Sequence, residues 1–376
     1  MMFTCESAPP HHRAAKRIVS RAAGMARRRS TKTVRDRKGR TLRVDIHCHY
    51  LNTEVAARVA PLNPAQYEPH IQFANALTRE VNVKQMRDRA PKLSDIETRL
   101  ADMDRMGIDV QAVSPAPNQT YYWAQPELGR ELARGVNDRL AEIVARWPQR
   151  FVALGTVPLQ HPELAVEELT RCMKELGMRG IEVNPSVNGL DLTDPVLGLE
   201  TFFARAQELG AVIFMHPIGF TQGGRLVDHY FNNVIGNPME TTIAASHLIF
   251  DGVLKRHPRL KIILPHAGGY LAHYWARMDH AYRARADCRT VIDRPPSSYL
   301  KKMYFDTIAF DPAMLRHMVD QYGSDHVLLG SDYPYDMGVD DPVAFIARVP
   351  GLNHAERARI EGGNAARLLK IHGRKR

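Results

Sequence analysis

The residues best suited to chemistry in this 376-residue chain are histidines. His47 and His49 end the apolar run "TLRVDIHCHYLN", from Thr41 to Asn52. In a β-strand, residues two apart point to the same face, so the two imidazoles converge on one spot. Neutral imidazole suits zinc and related ions. An isolated His-x-His is more often a pair of polar residues at a strand end, so it must be weighed with the residues downstream of it. Three further residues stand in comparable places: His216 in "FMHP", His266 in "LPHAGG" and Asp332 in "GSDYP". Singly each is bland, since a His before Pro is commonly a satisfied polar residue and an Asp before Tyr-Pro a turn former. Together, three imidazoles and a carboxylate can hold one divalent ion and leave a position for water or substrate. On this reading His47, His49, His216 and Asp332 are the ligands, with zinc expected and manganese as the alternative. His266 is then the spare base and Asp332 shares its catalytic work. A two-metal site with His266 as a further ligand stays open.

Whether these residues meet depends on the elements that carry them. From Leu42 onward the chain repeats one unit, a short β-branched run, a turn, and an amphipathic stretch closed by Gly or Pro. The spacing predicts strands near 43–47, 109–115, 151–158, 180–184, 211–217, 261–266, 303–310 and 326–334. Helical stretches such as "SDIETRLADMDRMG" and "PELAVEELTRCMKELG" lie between them, several opening with Ser or Asp and stopping at Gly. Alternating strands and helices imply parallel pairing, and eight units predict a (β/α)8 TIM-type barrel. No Gly-x-Gly-x-x-Gly follows the first strand, which weakens a dinucleotide-binding sheet. In a barrel the chemistry sits where strands end, and all five residues fall there. The stretch 50–93 is too long for a plain loop and is expected to form a lid or subdomain over the mouth.

Composition narrows the class. The chain is 44% hydrophobic and 24% charged, which is ordinary for a globular enzyme, and carries a formal charge of +10. That charge is local: residues 1–43 hold 13 Lys/Arg against Glu6 and Asp36, and the remainder balances 38 basic residues against 39 acidic ones. Residues 1–40 read as a disordered basic extension, having too little apolar surface to offset ordering entropy, and 41–376 as the barrel domain. Neither a nucleic-acid partner nor a membrane is expected. No run approaches the roughly 20 apolar residues of a membrane span, and the extension lacks a secretory apolar stretch. Cys5, Cys48, Cys172 and Cys288 are far apart with no Cys-x-x-Cys, which fits a reducing cytoplasm.

The motifs "DIHCH", "FMHP", "LPHAGG" and "GSDYP", in that order and spacing, resemble the amidohydrolase superfamily, and specifically its branch of aminocarboxymuconate-semialdehyde decarboxylase and related metal-dependent decarboxylases. The resemblance runs from about Arg43 to Leu369 and includes "NPMETTIAASHLIFDGVLKRHPRLKI" and "EGGNAARLL". It implies His47, His49, His216 and Asp332 as ligands of zinc or a similar ion and His266 as the catalytic histidine. It also implies that Arg277 reaches the neighbouring subunit's site in a homodimer and grips a substrate carboxylate, which a bidentate guanidinium suits. Two departures stand out. Ile218 follows His-Pro where the family's decarboxylase has Trp, and the arginine preceding helix one has three candidates here, Arg79, Arg87 and Arg89. Strand four, "GIEVNPS", offers no lysine to bridge two metals, only Glu182, which favours a single ion.

The expected reaction is non-oxidative decarboxylation of a small aromatic or muconate-type carboxylic acid. The alternative keeps the same ligands and hydrolyses a lactone, ester or amide with metal-bound hydroxide. A third reading, a noncatalytic barrel tethered to RNA or membrane by its tail, makes poor use of five such residues.

Overall fold

The computed structural model describes residues 41–371; the basic extension expected at 1–40 lies outside the described residues. Eight parallel strands follow one another around the barrel, each pairing with the next in sequence. They are β1 (Val44–Tyr50), β2 (Val110–Pro115), β3 (Phe151–Gly155), β4 (Gly180–Val183), β5 (Val212–Met215), β6 (Lys261–Leu264), β7 (Tyr304–Asp306) and β8 (Val327–Leu328). The ring closes through single bonds: Ile46 N–H donates to the Leu329 carbonyl at 2.9 Å, and Asp332 N–H to the His47 carbonyl at 2.8 Å. The fold is therefore the expected (β/α)8 barrel, and it gathers the ends of β1, β5, β6 and β8 at one mouth.

Two apolar layers hold it. Val44, Ile46, Val110, Ala112, Val212, Phe214, Ile263 and Leu328 fill the barrel interior, plugged by Ala365, Ala366, Leu368 and Leu369 of the C-terminal turns. The opposite strand faces, including Cys48, Val113, Ile181, Ile213 and Leu264, pack under the surrounding helices. Each fully buried Val, Leu, Ile or Phe contributes about 1.5–3 kcal/mol of transfer free energy. Helix ends follow the expected chemistry. Asp95 accepts from Thr98 N–H at the start of Ile96–Met106, which stops at Gly107 with φ +69°, a left-handed conformation suited to glycine.

Three local features depart from the expected pattern. First, β1 carries one extra residue between Asp45 and Cys48 relative to β2. Ile46 and His47 consequently both serve the interior, where simple alternation would separate them. Second, the two last strands are shorter than expected. After Asp306 its own carboxylate accepts from Ile308 N–H at 3.1 Å and turns the chain, and after Leu328 the backbone leaves the sheet for a left-handed Asp332, φ +59°. Third, a small hairpin pairs Ser186–Val187 with Leu190–Asp191. Asn188 and Gly189 both have positive φ, as a tight turn of the primed kind demands.

The stretch expected as a lid is helical, with Thr53–Val59, Pro69–Gln72 and Ala76–Ser94 as its helices. Tyr67, Glu68, Pro69 and Gln72 line a cavity at the barrel mouth. Behind β1, Arg99 is fully buried and ties strand to helix: it donates to Gln111 Oε1 at 3.0 Å and to the His49 carbonyl, and lies 4.8 Å from the Tyr333 ring centre. No described helix is long and apolar enough to cross a membrane.

Candidate metal centre

The five singled-out residues form one cluster. His47 and His49 place their Nε2 atoms 3.1 Å apart, and Asp332 Oδ1 lies 3.2 Å from the first and 3.3 Å from the second. Donor atoms of His47, His216, His266 and Asp332 all lie within 4.8 Å of one another. The His216 ring centre is 4.6 Å from that of His49 and 4.9 Å from that of His47. His266 stands at the rim, its Nε2 3.6 Å from Asp332 Oδ2, with 15% of its side chain exposed against none for His47 and His49.

Neighbouring groups set which nitrogen offers a lone pair. His47 Nδ1–H donates to Asp306 Oδ2 at 2.7 Å, and His49 Nδ1–H to the Pro115 carbonyl at 3.0 Å. In the neutral rings both Nε2 atoms then present lone pairs to the same point, an arrangement that a shared positive charge stabilises. Both ring nitrogens of His216 and Asp332 Oδ1 are buried without a hydrogen-bond partner. Burial opposes charge on His47, but Asp332 and Asp306 outweigh it and push the imidazole up to about 10. His216 goes the other way, held well below the ordinary range by burial and then by the neighbouring imidazoles. Burial also opposes the charged form of Asp332, yet His47, His266 and His49 keep it ionised, well below the usual range. The cluster thus asks for one positive charge at its centre and can ligate a divalent metal ion there. Glu182, fully buried on β4, approaches His49 Nδ1 at 3.5 Å, and burial pushes it up to about 7.

Two of the residues sit on left-handed backbone, His266 at φ +52° and Asp332 at φ +59°. Strained, non-glycine φ values of this kind concentrate where side-chain direction matters. The glycines after His266 are required by close approach: a Cβ on Gly268 would meet Phe305 Cδ1 at 2.6 Å, and one on Gly269 the Pro238 carbonyl oxygen at 2.6 Å.

Sequence reasoning missed Asp306. This carboxylate, fully buried at the end of β7, accepts from His47 Nδ1, from His266 N–H at 2.9 Å, from Ala267 N–H at 2.7 Å and from Ile308 N–H. It orients the first histidine and anchors the turn of the last, and the only sequence signal was an Asp ending the run "MYFD". Asp306→Asn keeps the volume but turns an amide toward donors. Metal affinity is expected to fall about 10- to 100-fold, read by titrating apoprotein with metal.

Arg277 is exposed on Leu271–Ala284, and no residue of that helix lines the mouth cavity. Of the three other arginines, Arg89 approaches the site's loops, donating to the Pro334 carbonyl. Ile218 lines the cavity, where the family's Trp would stand.

Residues 44–371 match the family model described as Amidohydrolase. The chain is 34% identical over 278 residues to the 2-amino-3-carboxymuconate-6-semialdehyde decarboxylase of Dictyostelium discoideum, covering 74% of this chain and 77% of that one. Among solved structures, 5-carboxyvanillate decarboxylase from Sphingomonas paucimobilis superposes with a TM-score of 0.78 at 27% identity, over 88% of this chain and 99% of that chain. A dihydroxybenzoic acid decarboxylase from Polaromonas sp., solved with bound manganese and the inhibitor 2-nitroresorcinol, gives a TM-score of 0.73 at 26% identity, over 88% and 97%. With the barrel, the strand-end cluster and the family match in agreement, the chain belongs to the amidohydrolase family.

Proposed function

We propose that the protein is a metal-dependent, non-oxidative decarboxylase of a small aromatic or muconate-type carboxylic acid. The observation that carries this reading is the convergence of unmatched lone pairs from His47, His49, His216 and Asp332 at a barrel mouth shared with relatives named as decarboxylases. Those four would hold one divalent ion, zinc in our reading, with manganese supported by its presence in the Polaromonas neighbour. Such an ion supplies Lewis acidity toward a substrate oxygen.

The chain's own groups do the rest. His266 Nε2 and Asp332 Oδ2 can pass a proton between them and deliver it to the carbon that carries the carboxylate. That proton replaces the departing CO2 on the carbon, so the reaction needs no oxidant. Arg277, lent by a second subunit, and Arg89 would aim the carboxylate. Residues 41–376 act as one catalytic barrel, with the 50–93 segment covering its mouth. The free Cys48, Cys172 and Cys288 fit the cytoplasm. The named relatives weigh against the hydrolytic alternative.

The test is elemental analysis of chelator-free protein combined with CO2 release from a panel of hydroxybenzoates and muconate-type acids. About one metal ion per chain and CO2 release that His47→Ala abolishes are expected. One ion without CO2 from any acid would move the reading to hydrolysis.

The homodimer is inferred from Arg277, which shares its helix with Tyr274, 66% exposed, and follows Tyr270, 41% exposed, at the helix N-cap. Mixing His47→Ala with Arg277→Ala subunits should restore roughly a quarter of wild-type activity, because one site in each mixed two-fold dimer is intact. A monomer by sedimentation, or no restoration, overturns the shared site.

A further inference from the structure

β1 and β8 stand at the two ends of the sheet order, and the seam between them carries three of the ligands, His47 and His49 on one edge and Asp332 on the other. Backbone bonds cross this seam singly rather than as a ladder. Ile46 N–H reaches the Leu329 carbonyl at 2.9 Å, Asp332 N–H the His47 carbonyl at 2.8 Å and His49 N–H the Tyr333 carbonyl at 2.8 Å. The two Nε2 atoms and Asp332 Oδ1 nevertheless stand only 3.1 to 3.3 Å apart, so a small slip of one edge along the other would open the cluster.

Asp45 supplies what the ladder lacks. Its carboxylate is fully buried and accepts four bonds. Oδ1 takes the His47 N–H from its own strand and the Ser331 N–H from the opposite edge, both at 3.1 Å. Oδ2 takes the Ser331 hydroxyl at 2.6 Å and the Gln111 side-chain amide at 3.2 Å. Capture of the N–H two residues along competes with ladder pairing, and it falls where the register of β1 shifts between Asp45 and Cys48. The contacts continue away from the seam. Gln111 Oε1 accepts from Arg99 Nη1 at 3.0 Å, and Arg99 also donates to the His49 carbonyl and, at 3.2 Å, to the Lys92 carbonyl. Gln111 thereby links the Arg99 charge to Asp45, its amide held in one orientation by a donor on one side and an acceptor on the other. Ser331, Asp45, Gln111 and Arg99 form one buried run that grips the backbone beside His47, His49 and Asp332, and none of the four lines the mouth cavity.

We propose that Asp45 is a positioning residue of the metal centre: through Ser331 on one side, and through Gln111 and Arg99 on the other, it locks the seam between β1 and β8 so that His47, His49 and Asp332 keep one coordination geometry. This rests on the metal-centre reading and holds equally for decarboxylation and hydrolysis.

The experiment is titration of the metal-free protein with cobalt(II), read as affinity and as the visible d–d spectrum, whose band position and intensity report coordination number and symmetry. Asp45→Asn keeps the volume but sets an N–H against the Ser331 hydroxyl or the Gln111 amide. Cobalt affinity should fall about 10- to 100-fold, the usual cost of disturbing groups that orient ligands, and the d–d band should change. Gln111→Met alters neither edge of the seam and should change the band in the same direction with a smaller loss of affinity. Glu168→Gln is the control for lost stability alone. Glu168 is a buried carboxylate on Pro162–Lys174, held by Asn137 Nδ2 at 2.7 Å and Arg171 Nε at 2.9 Å. Its replacement should lower Tm and leave cobalt affinity and spectrum as in the wild type. Wild-type affinity and spectrum in both seam variants, or an equal loss in Glu168→Gln, overturns the proposal. If Asp45→Asn does not fold, Gln111→Met decides it alone. A wild type that takes up no cobalt overturns the metal centre and the positioning role with it.

Discussion

Asp332→Asn is expected to yield a folded protein whose metal affinity is lower by a factor of about 10² to 10⁴, as for loss of one partner from a buried charge cluster, and whose CO2 release falls with it. Among the described residues Asp332 is the carboxylate that reaches three of the imidazoles, through Oδ1 to His47 and His49 and through Oδ2 to His266. An amide has the shape but lacks the charge, and it offers N–H where one of those lone pairs stood. The fold should survive because asparagine adopts the left-handed φ of +59° about as readily as aspartate does. Unchanged circular dichroism with metal content near zero after dialysis, measured by elemental analysis, is the expected pair of readings. Full metal content with full activity would remove Asp332 from both of its assigned roles.

That prediction rests on residues whose type and place could be read without coordinates. His47, His49, His216, His266 and Asp332 each close a β-branched run just before a Pro, a Gly or a polar turn, and a closed parallel barrel brings such ends together. What escaped was set by contacts between distant segments. The extra residue in β1 only has meaning against the register of β2. Asp306 looks like any strand-end acid until the ring closes and brings four N–H donors to it. Arg99 reads as a solvated helix residue, yet its fork is spent on β1 and β2. The hairpin around Asn188-Gly189 did leave a local signal, an Asn-Gly pair, which the larger strand pattern overshadowed. The cavity at the barrel mouth had no signal, since its lining residues come from separate segments. The reaction is less legible still, because the same ligand set serves hydrolysis and decarboxylation, and the relatives carry that distinction.

His266→Asn separates a proton carrier from a ligand. His266 could ligate by distance, since its donor atom belongs to the group that lies within 4.8 Å. Its surroundings argue for the other role. The ring is partly exposed at the rim, its Nδ1 is without a hydrogen-bond partner, and Nε2 faces the second oxygen of Asp332 rather than the one shared by His47 and His49. Asparagine keeps the left-handed backbone at φ +52° and the N–H bond to Asp306, so the turn stays in place. With the imidazole gone, kcat is expected to fall by about 10² to 10⁴, the usual worth of a positioned general acid or base, while metal per chain is unchanged. KM should move little. Loss of metal in this variant, parallel to its loss in Asp332→Asn, would make His266 a ligand and leave Asp332 as the group that carries the proton.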